Sequence, residues 1–209
     1  LPSLIANRRP QELGAELWSL TGLNWDVVWA GPPAEEAARR EWCAAFGWQP
    51  LWFEAGQYVR TRQGGKLRLG STAYGRPVTR VDYTSWAVRS TSVEENAQVT
   101  EALLERWPSC LAAATTVLGP PVWSGAWDTE GFPQLPGHGF DGDGTWRREN
   151  QDPHRLALWS FRTPGAPLFS LRANLGAGVA TGQGPGEARI SLVCHGPEAP
   201  DDQGPGWLL

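Results

Sequence analysis

Residues 57–62, QYVRTR, 66–71, KLRLGS, and 76–88, RPVTRVDYTSWAV, are three extended stretches divided by Gln63-Gly64-Gly65 and Tyr74-Gly75. Their apolar and polar residues alternate with a period of two, which suits a strand with one dry and one wet face. The Gly-bearing breaks suit hairpin turns. With LWF at 51–53, set off by Ala55-Gly56, the run reads as an antiparallel meander. Val59, Leu67, Leu69, Val81 and Tyr83 share the side that a core would cover. Arg60 and Arg62, Lys66 and Arg68, and Arg76 and Arg80 share the other, with Asp82 the one acid of that parity. If the strands pair in order, six cations crowd one exposed sheet face.

Helical patterns lie on either side. Pro10 followed by Leu13, Leu17 and Leu20 predicts a short helix ending at Gly22, and the apolar, β-branched LNWDVVWA (23–30) then reads as an extended edge. From Pro33 to Phe46, Glu35 and Glu36 occupy a first turn, Ala38, Trp42 and Ala45/Phe46 share a face, and Gly47 closes the helix. Ser92 and Glu95 form a capping box for a second long helix, with Ala97, Leu103/Leu104 and Trp107 on its buried side. Pro108 should kink or split that helix before it resumes through Leu111, Ala114 and Leu118 to Gly119. Pro120-Pro121-Val122-Trp123 starts another extended segment, so helix, Gly, Pro and Trp-bearing strand occur twice in the same order.

Residues 128–153 lack any period and read as one long loop. RLALWSFRT, APLFSLRA, GAGVATG and EARISLVCH then supply up to four more strands, two of them joined by a Pro-Gly turn, with TGQGPGE (181–187) as a hairpin loop. The tail from 196 to 209 reads as flexible. The expected fold is α+β: one domain spanning 1–209, with an antiparallel meander sheet and amphipathic helices on one face, arranged in one or two helix-plus-meander units.

Composition narrows the function. A formal net charge of −4 over 209 residues argues against general attraction to nucleic acid or anionic lipid. Every Lys or Arg but Lys66 is Arg, the bias of a GC-rich genome. No apolar run approaches the ~18 residues of a membrane helix. Cys43, Cys110 and Cys194 lie far apart in apolar contexts and read as buried thiols of a reducing, cytoplasmic protein. LPSLIANRRPQEL lacks the apolar core of a signal peptide, although the chain does not begin with Met, so a removed leader stays open.

Catalytic motifs fail on context. Gly137–Gly142 spells GxGxxG without the strand before it or the helix after it that a dinucleotide requires, so no cofactor is expected. His138, Asp141, Asp143 and His154 are suitable metal ligand types, but their spacing fits a solvated loop better. Cys194 and His195 are adjacent on an expected strand and so point to opposite faces.

Tryptophan is the other unusual feature, with 13 copies and no Met. Trp42, Trp86, Trp107 and Trp159 fall in apolar segments and read as core. Trp25, Trp29, Trp48, Trp52, Trp123, Trp127, Trp146 and Trp207 fall in turns, edges or loops, where some should be exposed. Exposed Trp is frequent at interfaces, so the candidate contact set is Arg60, Arg62, Arg68, Arg76 and Arg80, with whichever of Trp48, Trp52 and Trp123 reaches solvent.

AAFGW at 44–48, VRTRQGGKLRL at 59–69, VLGPP at 117–121 and WSFRTPGAPLFSLR at 159–172 resemble a loosely defined group of uncharacterised actinobacterial domains. Such domains look like immunity or accessory proteins encoded beside secreted toxins. The resemblance implies a non-enzymatic protein that docks a partner with an acidic surface, and it transfers no functional residue. A carbohydrate-binding module, with Trp rings in a row on one sheet face, is the alternative. A metal-dependent hydrolase built on the 138–154 loop is the third class.

Overall fold

The 14-residue strand β5 (Arg76–Arg89) is the spine of the fold. In this computed structural model, which describes residues 1–52, 57–73, 76–133, 144–163 and 165–196, two strands share one edge of β5 in succession. β4 (Lys66–Ala73) pairs with its first half, Leu67 opposite Tyr83, and β1 (Ser3–Asn7) pairs with its last residues, Asn7 opposite Trp86. On the other edge β9 (Glu187–His195) runs from Arg80 opposite His195 to Arg89 opposite Glu187. An irregularity between Thr84 and Trp86 moves the core face from Val81 and Tyr83 to Trp86 and Val88, as one extra residue in a period of two must.

With β2 (Gln49–Trp52), β3 (Gln57–Arg60), β6 (Trp123–Ala126), β7 (Arg155–Trp159) and β8 (Leu168–Leu175), the sheet has nine strands in the order β2-β3-β4-β5-β9-β8-β7-β6, with β1 beside β5. Each half is a four-stranded meander running from an outer edge to the centre. The last strands of the two halves, β5 and β9, pair antiparallel and make one continuous sheet. The repeated order of helix, Gly, Pro and Trp-bearing strand therefore maps onto the two outer strands, β2 and β6. Each is preceded by a helix ending at a positive-φ glycine, Gly47 or Gly119.

Helices cover one face. α1 (Pro10–Thr21) buries Leu13, Leu17 and Leu20 at helical spacing, beside α4 (Asn96–Leu118), which buries Val99, Leu103, Trp107, Cys110 and Ala114. α3 (Glu36–Ala45) is peripheral: Cys43 alone is fully buried, and Trp42 and Phe46 pack half-covered against Trp48. Burial pushes the Cys43 thiol up to about 11 and raises those of Cys110 and Cys194, so all three are poor nucleophiles.

Several local expectations give way. LNWDVVWA contains α2 (Trp25–Ala30): the Asn24 side chain caps it, and Trp25, Val28 and Trp29 are buried at helical spacing. The β-branched pair suggested a strand, but burial on a 3.6 period won over weak propensity. α4 passes through Pro108 unbroken. Both Pro108 and Leu104, whose carbonyl loses its donor, are exposed, so water can serve that carbonyl. GAGVATG forms α6 (Ala177–Thr181), since Gly178 lets the turn close against Pro185 O and Gly184 O, where a Cβ would lie at 2.6 and 2.8 Å. The loop expected at 128–153 holds α5 (Gly144–Asn150). β1 had no sequence expectation at all.

A carboxyl group lies inside the core. Glu16 of α1 has no solvent exposure, and its Oε2 accepts from the Thr61 hydroxyl at 2.9 Å. Burial raises its pKa, against the pull of Thr61 and Arg8. An acid raised in the folded state stabilises fully below its unfolded pKa of about 4.3, and that stability is lost as pH rises through the folded value. Glu16→Gln should therefore gain stability relative to the parent as pH rises from 4 to 8, with the gap closing towards pH 4. Urea unfolding at both pH values measures this, and an equal gap at each would refute it.

Candidate binding face

Alternation along the strands leaves the face opposite α1 and α4 polar. One cross-strand row can be followed through the register: Trp52 faces Tyr58, Tyr58 faces Arg68, Arg68 faces Asp82, and Asp82 faces Val193. The row continues through Ser170 and Leu158 to Trp123 on the far edge. Directly paired residues share a face. On the neighbouring rows lie Lys66, Arg80, Arg172, Ser191 and His195.

The sheet bends this surface into an open cavity of about 670 Å³, lined among others by Tyr58, Lys66, Arg68, Arg80, Arg172 and Arg189. Asp82, Asp152 and Glu187 are the lining acids. Arg80 Nε donates to Asp82 Oδ1 at 2.6 Å, Arg189 Nε lies 3.3 Å from Glu187, and Lys66 Nζ sits 4.2 Å above the Tyr58 ring. The lining is net positive in a chain of net charge −4. Charge of one sign in a concavity concentrates the field there.

The floor is more ordered than the rim. Arg172 is 3% exposed, with Nε donating to Ser170 Oγ at 3.2 Å and Nη2 donating to His195 Nε2 at 3.1 Å. Ser170 Oγ lies 3.0 Å from the same imidazole nitrogen. A guanidinium is always a donor, so His195 Nε2 is the acceptor and its lone pair is engaged. A serine beside a histidine usually suggests a nucleophile and base, but here the electron pair that would take the serine proton already faces Arg172. Cys194 points into the core on the opposite side, as alternation requires.

The expected contact residues separate. Arg68 and Arg80 line the cavity. Arg60 is exposed at the end of β3, outside it. Arg62 lies beyond the strand end, folded over Gly47 so closely that a side chain there would collide with it. Arg76 opens β5, and its side chain lies outside the described residues. Trp48 is 5% exposed inside the core and drops out as a contact residue, because the chain re-enters the sheet there beneath Trp42 and Phe46. Trp52 is 54% exposed, whereas Trp123 is half-buried with Phe132, Leu156 and Leu158.

Trp25 and Trp29, expected at an edge, are buried and stacked at 4.7 Å. Trp18, inside α1, is the most exposed tryptophan among the described residues, at 71%. Arg172 and Arg189 were missed although FSLRAN and ARISLV each alternate. Their parity is readable, but not the pairing that sets them beside Lys66 and Arg80.

His138, Asp141 and Asp143 lie outside the described residues, as does Trp207. His154 is half-buried, its Nδ1 has no hydrogen-bond partner among the described residues, and burial lowers its pKa, helped by Arg155. Among the described residues no group of three or more His, Cys, Asp or Glu could hold a metal ion, and no helix is long and apolar enough to cross a membrane. No protein-family model matches the sequence, and neither a curated protein nor a solved structure is detectably similar to it.

Proposed function

We propose that this protein is a non-enzymatic binding protein of the immunity or accessory kind, docking an acidic protein partner on its uncovered sheet face. The observation that carries this reading is the cavity on that face, lined by Lys66, Arg68, Arg80, Arg172 and Arg189 in a chain whose net charge is −4. Clustered cations speed encounter with an acidic surface and disfavour basic partners. Trp52, exposed and paired across the strands with the cavity-lining Tyr58 in the same row as Arg68, supplies the large apolar contact that interfaces favour. Three buried, unpaired thiols fit a cytoplasmic site of action.

The sugar reading needs aromatic rings at neighbouring positions. Trp52 and Trp123 share a row but sit on the outermost strands, seven interstrand steps or roughly 34 Å apart. That spacing supports the protein-partner reading instead.

The test starts with the chain immobilised in extract of its source cells, followed by identification of the retained protein and measurement of its affinity at low and moderate salt. The expected result is a specific acidic partner whose affinity falls about tenfold or more between ~50 and ~300 mM salt and which polyglutamate displaces. A partner indifferent to both salt and polyglutamate, or no specific partner, overturns the reading.

A further inference from the structure

On the helix side, away from the charged face, a second cavity of about 320 Å³ opens between the α1–α2 turn and the loop that joins β7 to β8. Three aromatic residues line it, Phe161 at 41% exposure and Trp25 and Phe169 only by their margins at 6% and 2%, and Asp26 is the one charged residue among its lining. Phe169 stands edge-to-face with Trp25 at 6.2 Å and 86°, and with Phe161 at 6.0 Å and 88°. We infer that this aromatic box with its carboxylate is a binding site for a small organic cation of the trimethylammonium type, independent of the docking face.

The local sequence builds the box from both sides. Trp29 stacks behind Trp25 and donates its indole N–H to Gly165 O at 3.2 Å, pinning the β7–β8 loop to α2. Gly165 has φ +75°, a region that side-chain-bearing residues rarely adopt, and any side chain there would collide with Asp26 Oδ1. The glycine thus lets the carboxylate stand at the mouth. Asp26 is exposed and has no ion-pair partner among the described residues.

Charge complementarity selects the occupant. Aromatic faces carry negative potential and attract a cation within about 6 Å of the ring centre, more strongly when water is excluded. A quaternary ammonium matches this environment because its methyl shell tolerates apolar walls while its charge lies between the exposed Phe161 ring and the Asp26 carboxylate. The volume lies at the small end of ligand cavities, which suits a headgroup-sized molecule. An anion would meet Asp26 with no compensating cation in the lining.

The test uses the intact chain and choline, beside choline's uncharged analogue in which carbon replaces the quaternary nitrogen. Calorimetry gives the affinities, and the indole N–H resonances of Trp25 and Trp29 report the place. Choline should saturate at millimolar concentration or below and bind about tenfold or more tighter than the neutral analogue, shifting both resonances. Asp26→Asn and Phe161→Ala, both at exposed side chains, should each weaken choline about fivefold to tenfold. Equal binding of the two compounds, binding that ignores Asp26→Asn, or no saturation by choline up to ~20 mM overturns the inference. None of these outcomes bears on the acidic partner, because no residue of the box lies on the charged face.

Discussion

The double variant Lys66→Glu/Arg68→Glu is expected to lose affinity for the acidic partner by about 100-fold or more, with little change in stability. Both positions face the same cavity from one strand, two residues apart, so the two reversals act on the same field. Among the described residues neither makes an ion pair, and Lys66 contributes only its contact over Tyr58. The loss should appear mainly in the association rate and shrink at high salt, because the interaction is long-ranged until screened. Arg62→Glu is the internal control: its side chain is folded over Gly47 outside the cavity, so affinity should change by no more than about threefold. Binding kinetics on all variants, with thermal melts alongside, decide the matter. If Arg62→Glu proves as damaging as the double variant, the contact surface lies at the β3–β4 turn and not in the cavity.

Trp159→Ala should cost about 4 kcal/mol of folding stability. Trp159 is 1% exposed on β7, and its indole N–H donates to Gly119 O at 2.8 Å. Gly119 ends α4 with φ +80°, so this one side chain both fills the core and ties the end of the long helix to the sheet. Truncation leaves a cavity and deprives that carbonyl of its donor. Against a typical total of 5–15 kcal/mol, a loss of this size lowers the melting temperature by roughly 8–16 °C for a chain of this length. Trp159→Phe keeps most of the packing and loses the donor, so it should cost only about 1–2 kcal/mol. Urea titrations separate the two, and a Trp159→Ala loss below about 1 kcal/mol would show that the site collapses or that α4 is held elsewhere.

The meander was legible because its alternation is strict. Val59, Leu67, Leu69, Val81 and Tyr83 are all buried, as a period of two with one dry face demands. The helices at 10–21, 36–45 and 96–118 were legible for the same kind of reason, through terminal glycines and apolar spacing, although the Ser92–Glu95 capping box does not form: a 3-10 turn at Val93–Glu95 precedes the helix and Glu95 accepts from Thr91 instead. α2 and α6 were not, since six or five residues carry too little periodicity to overrule β-branched or glycine-rich composition. β1 escaped because a strand in an edge position, with Ser3, Leu4 and Ile5 exposed, shows no buried side to alternate with.

The sequence by itself determined the α+β class, the strands of the first meander, the parity that sets Arg60, Lys66, Arg68 and Arg80 against the core side, and the burial of Trp86, Trp107 and Trp159. Those properties follow from local periodicity and steric rules, which act within a few residues. Only the tertiary structure decided that β5 pairs with β9. That single long-range pairing brings Arg172, Arg189, Ser170 and His195 beside Lys66 and Arg80 and sends Trp52 and Trp123 to opposite edges, while Trp48 enters the core through its packing on Trp42 and Phe46. Strand pairing depends on which surfaces can be buried together at once, and the chain carries no local mark of it.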